Sequence, residues 1–223
     1  MEKLKIWFEN FWEYHKWKVF VAIIALAVLS ITLPTILNRK APDFSILYVG
    51  PNKITSETIY DIEKSTTDFI KTDYNNDGEI NADVVMMLLP TAIGPKFDES
   101  GSAISNESIH YITYDDDFYT QFLSEVMVGN TVIYIVNPIF YEKLVKENYI
   151  VPIKDVLGYT PENAIENGYG IPYANLDASN LGGFNSMNND MIICVRYSRT
   201  NEDKDIYNQS IEFFKDFASF KVK

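Results

Sequence analysis

Cysteine occurs once in the 223 residues, at Cys194, so the chain closes no internal disulfide. Its setting, "MIICVRY", is that of a buried core thiol. Histidine is nearly as scarce. His15 and His110 are the only two, and beyond residue 40 a single imidazole remains, on a stretch that reads as a strand. No G-x-S-x-G, H-E-x-x-H or phosphate-binding loop occurs. A nucleophile without a base is no catalyst, and the expectation is a protein that is not an enzyme. Positive charge is also short: 19 Lys and Arg stand against 31 Asp and Glu, a formal net charge of −12. Six of the basic and three of the acidic residues lie in the first 40, which leaves 13 against 28, or −15, for the rest. A face so acidic excludes nucleic acid and will not hold anionic lipid unaided.

What is present begins with an uncharged run of 19 residues, "VFVAIIALAVLSITLPTIL" at 19–37. As a helix it spans roughly 28 Å, close to the thickness of a hydrocarbon core. Ser30, Thr32 and Pro34 interrupt only its second half, and no face is polar, so a transmembrane helix is expected. The run exceeds the core of a signal peptide, "PTILNRKAPD" lacks a small-residue cleavage site, and no cysteine follows it to carry a lipid. Before it, residues 1–18 hold all three tryptophans, Trp7, Trp12 and Trp17, as expected of a cytoplasmic or interfacial helix at headgroup level. Lys3, Lys5, Lys16 and Lys18 precede the span while Arg39 and Lys40 follow it, which favours a cytoplasmic N-terminus. Residues 38–42 read as a linker, and 43–223 as an extracellular domain of a single-pass cell-membrane protein.

The outer domain alternates strand and helix signals. "DFSILYVG" is apolar and closed by Gly50-Pro51, and "VVMMLL" is a continuous apolar run expected in a strand buried on both faces. Between them Thr55 or Ser56 can cap a helix. "TVIYIV" is another buried strand, followed by Asn137 as cap and Pro138 at a first helical position. A final helix aligns Ile206, Phe213, Phe214 and Phe217. The pattern predicts an α/β, three-layer domain with a mostly parallel sheet. Residues 91–108 and 174–190 read as long polar loops, available as contact surfaces.

"FYTQFLSEVMVGNTVIYIVNPIFYEKLVKENYIVPIKDVLG" (118–158) resembles the first lobe of extracellular solute-binding proteins of ABC importers. Gly129-Asn130, "VIYIV", "FYEKLV" and "IVPIKDVL" carry the resemblance, "NGYGIPY" is similar to that family's crossover, and "MIICVRY" to its returning strand. The resemblance covers about half of the outer domain, and only 183 residues follow the first 40, too few for the family's two lobes. It therefore implies a single, truncated periplasmic-binding-protein-like lobe and no carried-over sugar ligands. "FWEYHKWKV" and "DYNxDGE" also resemble small anchored membrane proteins of clostridia-type bacteria. The implied function is a membrane-tethered binding or assembly module whose partner is an ABC transporter or another membrane-complex subunit. The alternative is a sensor or structural subunit acting through its N-terminal helices.

Two further sets of residues invite a site. In "TDYNNDGEINADV", Asp73, Asn75, Asp77 and Glu79 fall at the spacing of an EF-hand loop, with Gly78 and Ile80 in place. Val84 stands where the last carboxylate belongs, leaving Asp83 one residue early. The same residues also make a good turn. Calcium, bound weakly at about 10⁻⁴ to 10⁻³ M, is the expected ion. Tyr169, Tyr173 and Phe184, in a segment rich in glycine and asparagine, would either stack on a ligand or partner or form the lid of the core.

Overall fold

The computed structural model describes residues 1–37, 42–70, 72–73, 77–97, 103–112, 114–187, 190–199 and 204–221. They fall into two units, Met1–Ala41 and Pro42–Lys223.

The first unit is one continuous helix, α1 (Glu2–Leu37). Its stretch Phe11–Leu33 is long and apolar enough, by length and composition, to cross a membrane; its most apolar 18 residues average a hydropathy of 2.0 and none of them is buried. The polar residues of its second half are satisfied within the helix. Ser30 Oγ donates to the Leu26 carbonyl at 2.7 Å and Thr32 Oγ1 to that of Val28 at 2.9 Å. Hydroxyls so engaged cost little in an apolar medium. Over 36 residues the helix measures about 54 Å, well beyond a hydrocarbon core of about 30 Å. Near its start Trp7 stacks on Phe11 at 5.5 Å, and Phe11 meets His15 at 5.0 Å.

The second unit is a mixed α/β domain around one five-stranded sheet, with the elements β1 (Phe44–Gly50), α2 (Ser56–Thr66), β2 (Ala82–Leu88), β3 (Thr91–Phe97), β4 (Ala103–Ile112), α3 (Asp116–Val128), β5 (Ile133–Val136), α4 (Pro138–Lys146), α5 (Ile153–Leu157), β6 (Gly170–Pro172), β7 (Ile192–Val195) and α6 (Lys204–Ser219). The sheet order is β2-β1-β5-β7-β6. β1 runs parallel to both β2 and β5, while β7 is antiparallel to β5 and β6. Four strands thus share a direction and β7 alone opposes it.

Helix starts follow the sequence signals. Thr55 accepts from the Thr58 N–H at 3.2 Å to cap α2, and Asp115 from Phe118 N–H at 2.8 Å to cap α3. Asn137 accepts from Ile139 N–H at 3.0 Å to cap α4, whose first residue is Pro138. Each bond satisfies an amide that has no carbonyl four residues back.

The core lies on both faces of the sheet, because successive strand residues alternate. Ile46, Tyr48, Ile133 and Ile135 join Ile62 of α2, Ile153 of α5 and Phe213, Phe214 and Phe217 of α6. Leu47, Val49, Tyr134 and Val136 join Phe122 and Val126 of α3 and Phe140 and Leu144 of α4. Arg196, 1% exposed, is the largest fully buried side chain. Its Nε donates to the Thr131 carbonyl at 2.9 Å and its Nη1 to that of Tyr197 at 2.7 Å.

Three expectations are corrected. The described residues of 91–108 are not an irregular loop: β3 and β4 pair as an antiparallel ribbon, Thr91 opposite Ile112 and Ile93 opposite His110, with a register shift between Pro95 and Phe97. A two-stranded ribbon has no obligate buried face, so its sequence need not alternate. β2 is an edge strand, and its apolar run is not buried on both faces, since Met86 and Leu88 are 36% and 43% exposed. The segment expected as a polar loop at 174–190 holds, among its described residues, the 3₁₀ turns Tyr173–Asn175, Asp177–Asn180 and Gly182–Ser186, the last of which lies against α2. Gly183 lies so close there that a Cβ would collide with the Thr58 carbonyl oxygen.

Candidate functional site

In open sheets of this kind, ligands bind outside the carboxyl ends of the parallel strands, where consecutive connections leave in opposite directions. Here the chain passes from β1 to β2 on one side and later enters β5 on the other. Leu89 N–H donates to the Gly50 carbonyl at 2.9 Å and Asn137 N–H to that of Val49 at 3.0 Å. Those bonds tie together the carboxyl ends of β1, β2 and β5.

An open pocket of about 460 Å³ lies at this end, lined by Pro90, Tyr114, Asp115, Asp117, Phe118 and Gln121. Pro90 follows β2 directly, Tyr114 and Asp115 lead into α3, and the rest belong to its first turns. The aromatic wall is braced from below by Phe140 of α4, which is fully buried. Tyr114 and Phe118 pack on it at 5.0 and 5.6 Å between ring centroids. Lys143 Nζ sits 4.5 Å over the Tyr119 ring and 5.5 Å over that of Tyr114. The wall is therefore held from both sides. Chemically the pocket offers two aromatic faces, an amide and two carboxylates, of which Asp115 already caps α3. That set can stack and hydrogen-bond a small molecule.

The sequence-predicted metal residues lie at the opposite, amino end of β1 and β2. Asp73 Oδ2 accepts from Gly78 N–H at 2.6 Å and Oδ1 from Asp77 N–H at 3.3 Å. Asp77 Oδ1 accepts from Glu79 N–H at 2.9 Å, and Gly78 takes the left-handed φ of 87° that the turn needs. Asp43 and Asn81 close the loop by bonds of 2.9 and 2.8 Å. Asn75 lies outside the described residues. Asp83 sits within β2 opposite Ser45, beside Glu63 of α2, whose carboxyl is raised by burial and then by that neighbouring charge. Among the described residues no three His, Cys, Asp or Glu side chains gather as a metal-holding group.

Tyr169, Tyr173 and Phe184 do not share a surface. Tyr173 and Phe184 are fully buried beside α6, with ring centroids 6.3 and 5.0 Å from Phe217. They form the lid of the core, and stacking on a ligand is excluded for them because their faces are already packed. Burial pushes the Tyr173 phenol far up. Tyr169 is half-buried against the other core cluster, next to Tyr141. Tyr141 donates to Asn167 Oδ1 at 2.5 Å, and burial raises its phenol to about 12.

Cys194 is buried, and its thiol is pushed up by burial alone. It is a core residue, as its sequence setting predicts. The pocket residues Pro90, Tyr114, Phe118 and Gln121 escaped sequence reasoning. Their signal was positional: a proline directly after an apolar strand, and the aromatic pair Tyr114 and Phe118 flanking the acidic run Asp115–Asp117 at the start of α3. No protein-family model, curated protein or solved structure matches this chain.

Proposed function

We propose that this protein is a membrane-tethered binding module whose outer domain is a three-layer α/β unit, akin to one lobe of an extracellular solute-binding protein. The observation that carries the reading is the open, aromatic-walled pocket at the carboxyl ends of the parallel strands, where β1 lies between β2 and β5. Supporting it, "GIP" and "MIICVRY" form β6 and β7, and β7 pairs antiparallel with both β5 and β6. An N-terminal helix of membrane-crossing length supports a tether, and the lysines before the span favour an outer domain. In this reading the pocket takes a small solute, and a transporter or another membrane-complex subunit receives it. The loop at 73–83 acts as a weak calcium staple at the far end of the sheet, supported by its spacing and by the turn that Asp73 holds around Gly78.

A solute screen by thermal shift tests the reading on the full chain in nanodiscs, with sugars, amino acids and short peptides as probes. A hit should raise the melting temperature and lose that effect in Phe118→Ala and Gln121→Ala. A hit insensitive to both substitutions, or no hit from any class, overturns the pocket as the binding site.

A further inference from the structure

We infer that the outer edge of β2 is a docking site for an extended strand of a partner protein that carries positive charge at one end. This surface is distinct from the pocket and does not rest on it.

β2 ends the sheet, and among the described residues no strand pairs with its outer side. Leu89 N–H is directed at Gly50 of β1. In a parallel strand the backbone groups alternate in side, so the amides and carbonyls of Leu88, Met86 and Val84 turn outward. Such a row is a template for an added strand, and proteins normally blunt it with lysine, proline or a bulge. "ADVVMML" has none of these, and its register with β1 runs unbroken over seven residues. Met86 and Leu88 stand exposed along it, the apolar contacts an added strand would cover.

Charge selects the occupant. At the amino end of β2, Asp83 lies beside Glu63 of α2, and the two carboxylates repel; the Glu63 carboxyl is raised by burial first and by the Asp83 charge second. The residues beyond 40 carry a net charge of −15, so a second copy of the chain would be repelled at the same edge. A strand with lysine or arginine at the end lying beside Asp83 and Glu63 relieves that repulsion. In the antiparallel arrangement, which pairs slightly more stably, that is its carboxyl end.

The probe is a synthetic peptide of alternating valine and threonine with two lysines at its carboxyl end, added to the full chain in nanodiscs. Hydrogen exchange should show new protection at the amides of Val84 and Met86. Those of Val85 and Met87, already turned toward β1, should change little. Replacing the lysines by glutamates, or making Asp83→Lys, should weaken binding at least about tenfold, and raising the salt should weaken the lysine peptide. Methylating the peptide's central amides should abolish the protection. Equal binding of lysine and glutamate peptides overturns the charge argument. No protection of β2 by either peptide, or protection that instead grows with protein concentration alone, overturns the inference.

Discussion

Tyr173 donates its phenolic hydrogen to the main-chain carbonyl of Phe184 across 2.8 Å, deep beneath α6. The bond ties the first 3₁₀ turn, Tyr173–Asn175, to the last, Gly182–Ser186, and both rings pack on Phe217. Tyr173→Phe should keep the packing and strand a buried carbonyl, costing about 1–2 kcal/mol. Phe184→Ala should cost about 3–5 kcal/mol through the cavity it leaves. Denaturant unfolding measures both, and neither substitution should alter solute binding at the pocket beyond its effect on folding.

Gly183 answers to a different constraint. The 3₁₀ segment approaches α2 closely enough that a methyl group would meet the Thr58 carbonyl oxygen and the Ile62 backbone nitrogen, both main-chain atoms. Gly183→Ala should therefore destabilise by about 1–3 kcal/mol, as overpacking does. Chemical denaturation with an unchanged slope would identify a pure stability effect.

The pair Glu63 and Asp83 makes a pH-dependent prediction. Burial and the Asp83 charge raise the Glu63 carboxyl above the usual glutamate value. A group raised in this way contributes stability that is present below the ordinary pKa and lost as pH rises through the folded one. Glu63→Gln should accordingly raise the melting temperature at pH 7 and change it little near pH 3. Asp83→Asn should shift stability in the same direction. Melting curves at the two pH values check the sign.

The acidic loop is tested by melting the full chain in EDTA and in calcium. At a dissociation constant near 0.1 mM, about 2 mM calcium should add roughly 1.8 kcal/mol. That corresponds to about 4–7 °C, and Asp73→Ala should remove it. An unchanged melting temperature would leave the loop as a turn held by Asp73.

The elements that the sequence announced were those with a local cause. Asn137 and Pro138 mark the start of α4 by capping chemistry alone, and "VIYIV" marks β5 because a central strand is buried on both faces. β2 misled for the same reason in reverse. Its apolar run reads as central, yet its place at the edge is decided by where β5 goes, 45 or more residues later. Tyr173 and Phe184 were ambiguous because their partners, Phe69 and Phe217, lie far off in the chain. The pocket was illegible for a related reason: its walls come from the end of one strand and the start of a helix beyond the β3–β4 ribbon, and only the topology joins them.

The central claim is a tethered domain on the outer side of a membrane, and thiol labelling of intact cells tests it most directly. Cys194 is buried, so the native chain should be silent. Tyr159 is 54% exposed, and Tyr159→Cys should place a reactive thiol on the outer domain. A membrane-impermeant maleimide should label that variant in intact cells as fully as after lysis. Labelling that appears only after lysis would contradict the account, because the pocket would then face the cytoplasm.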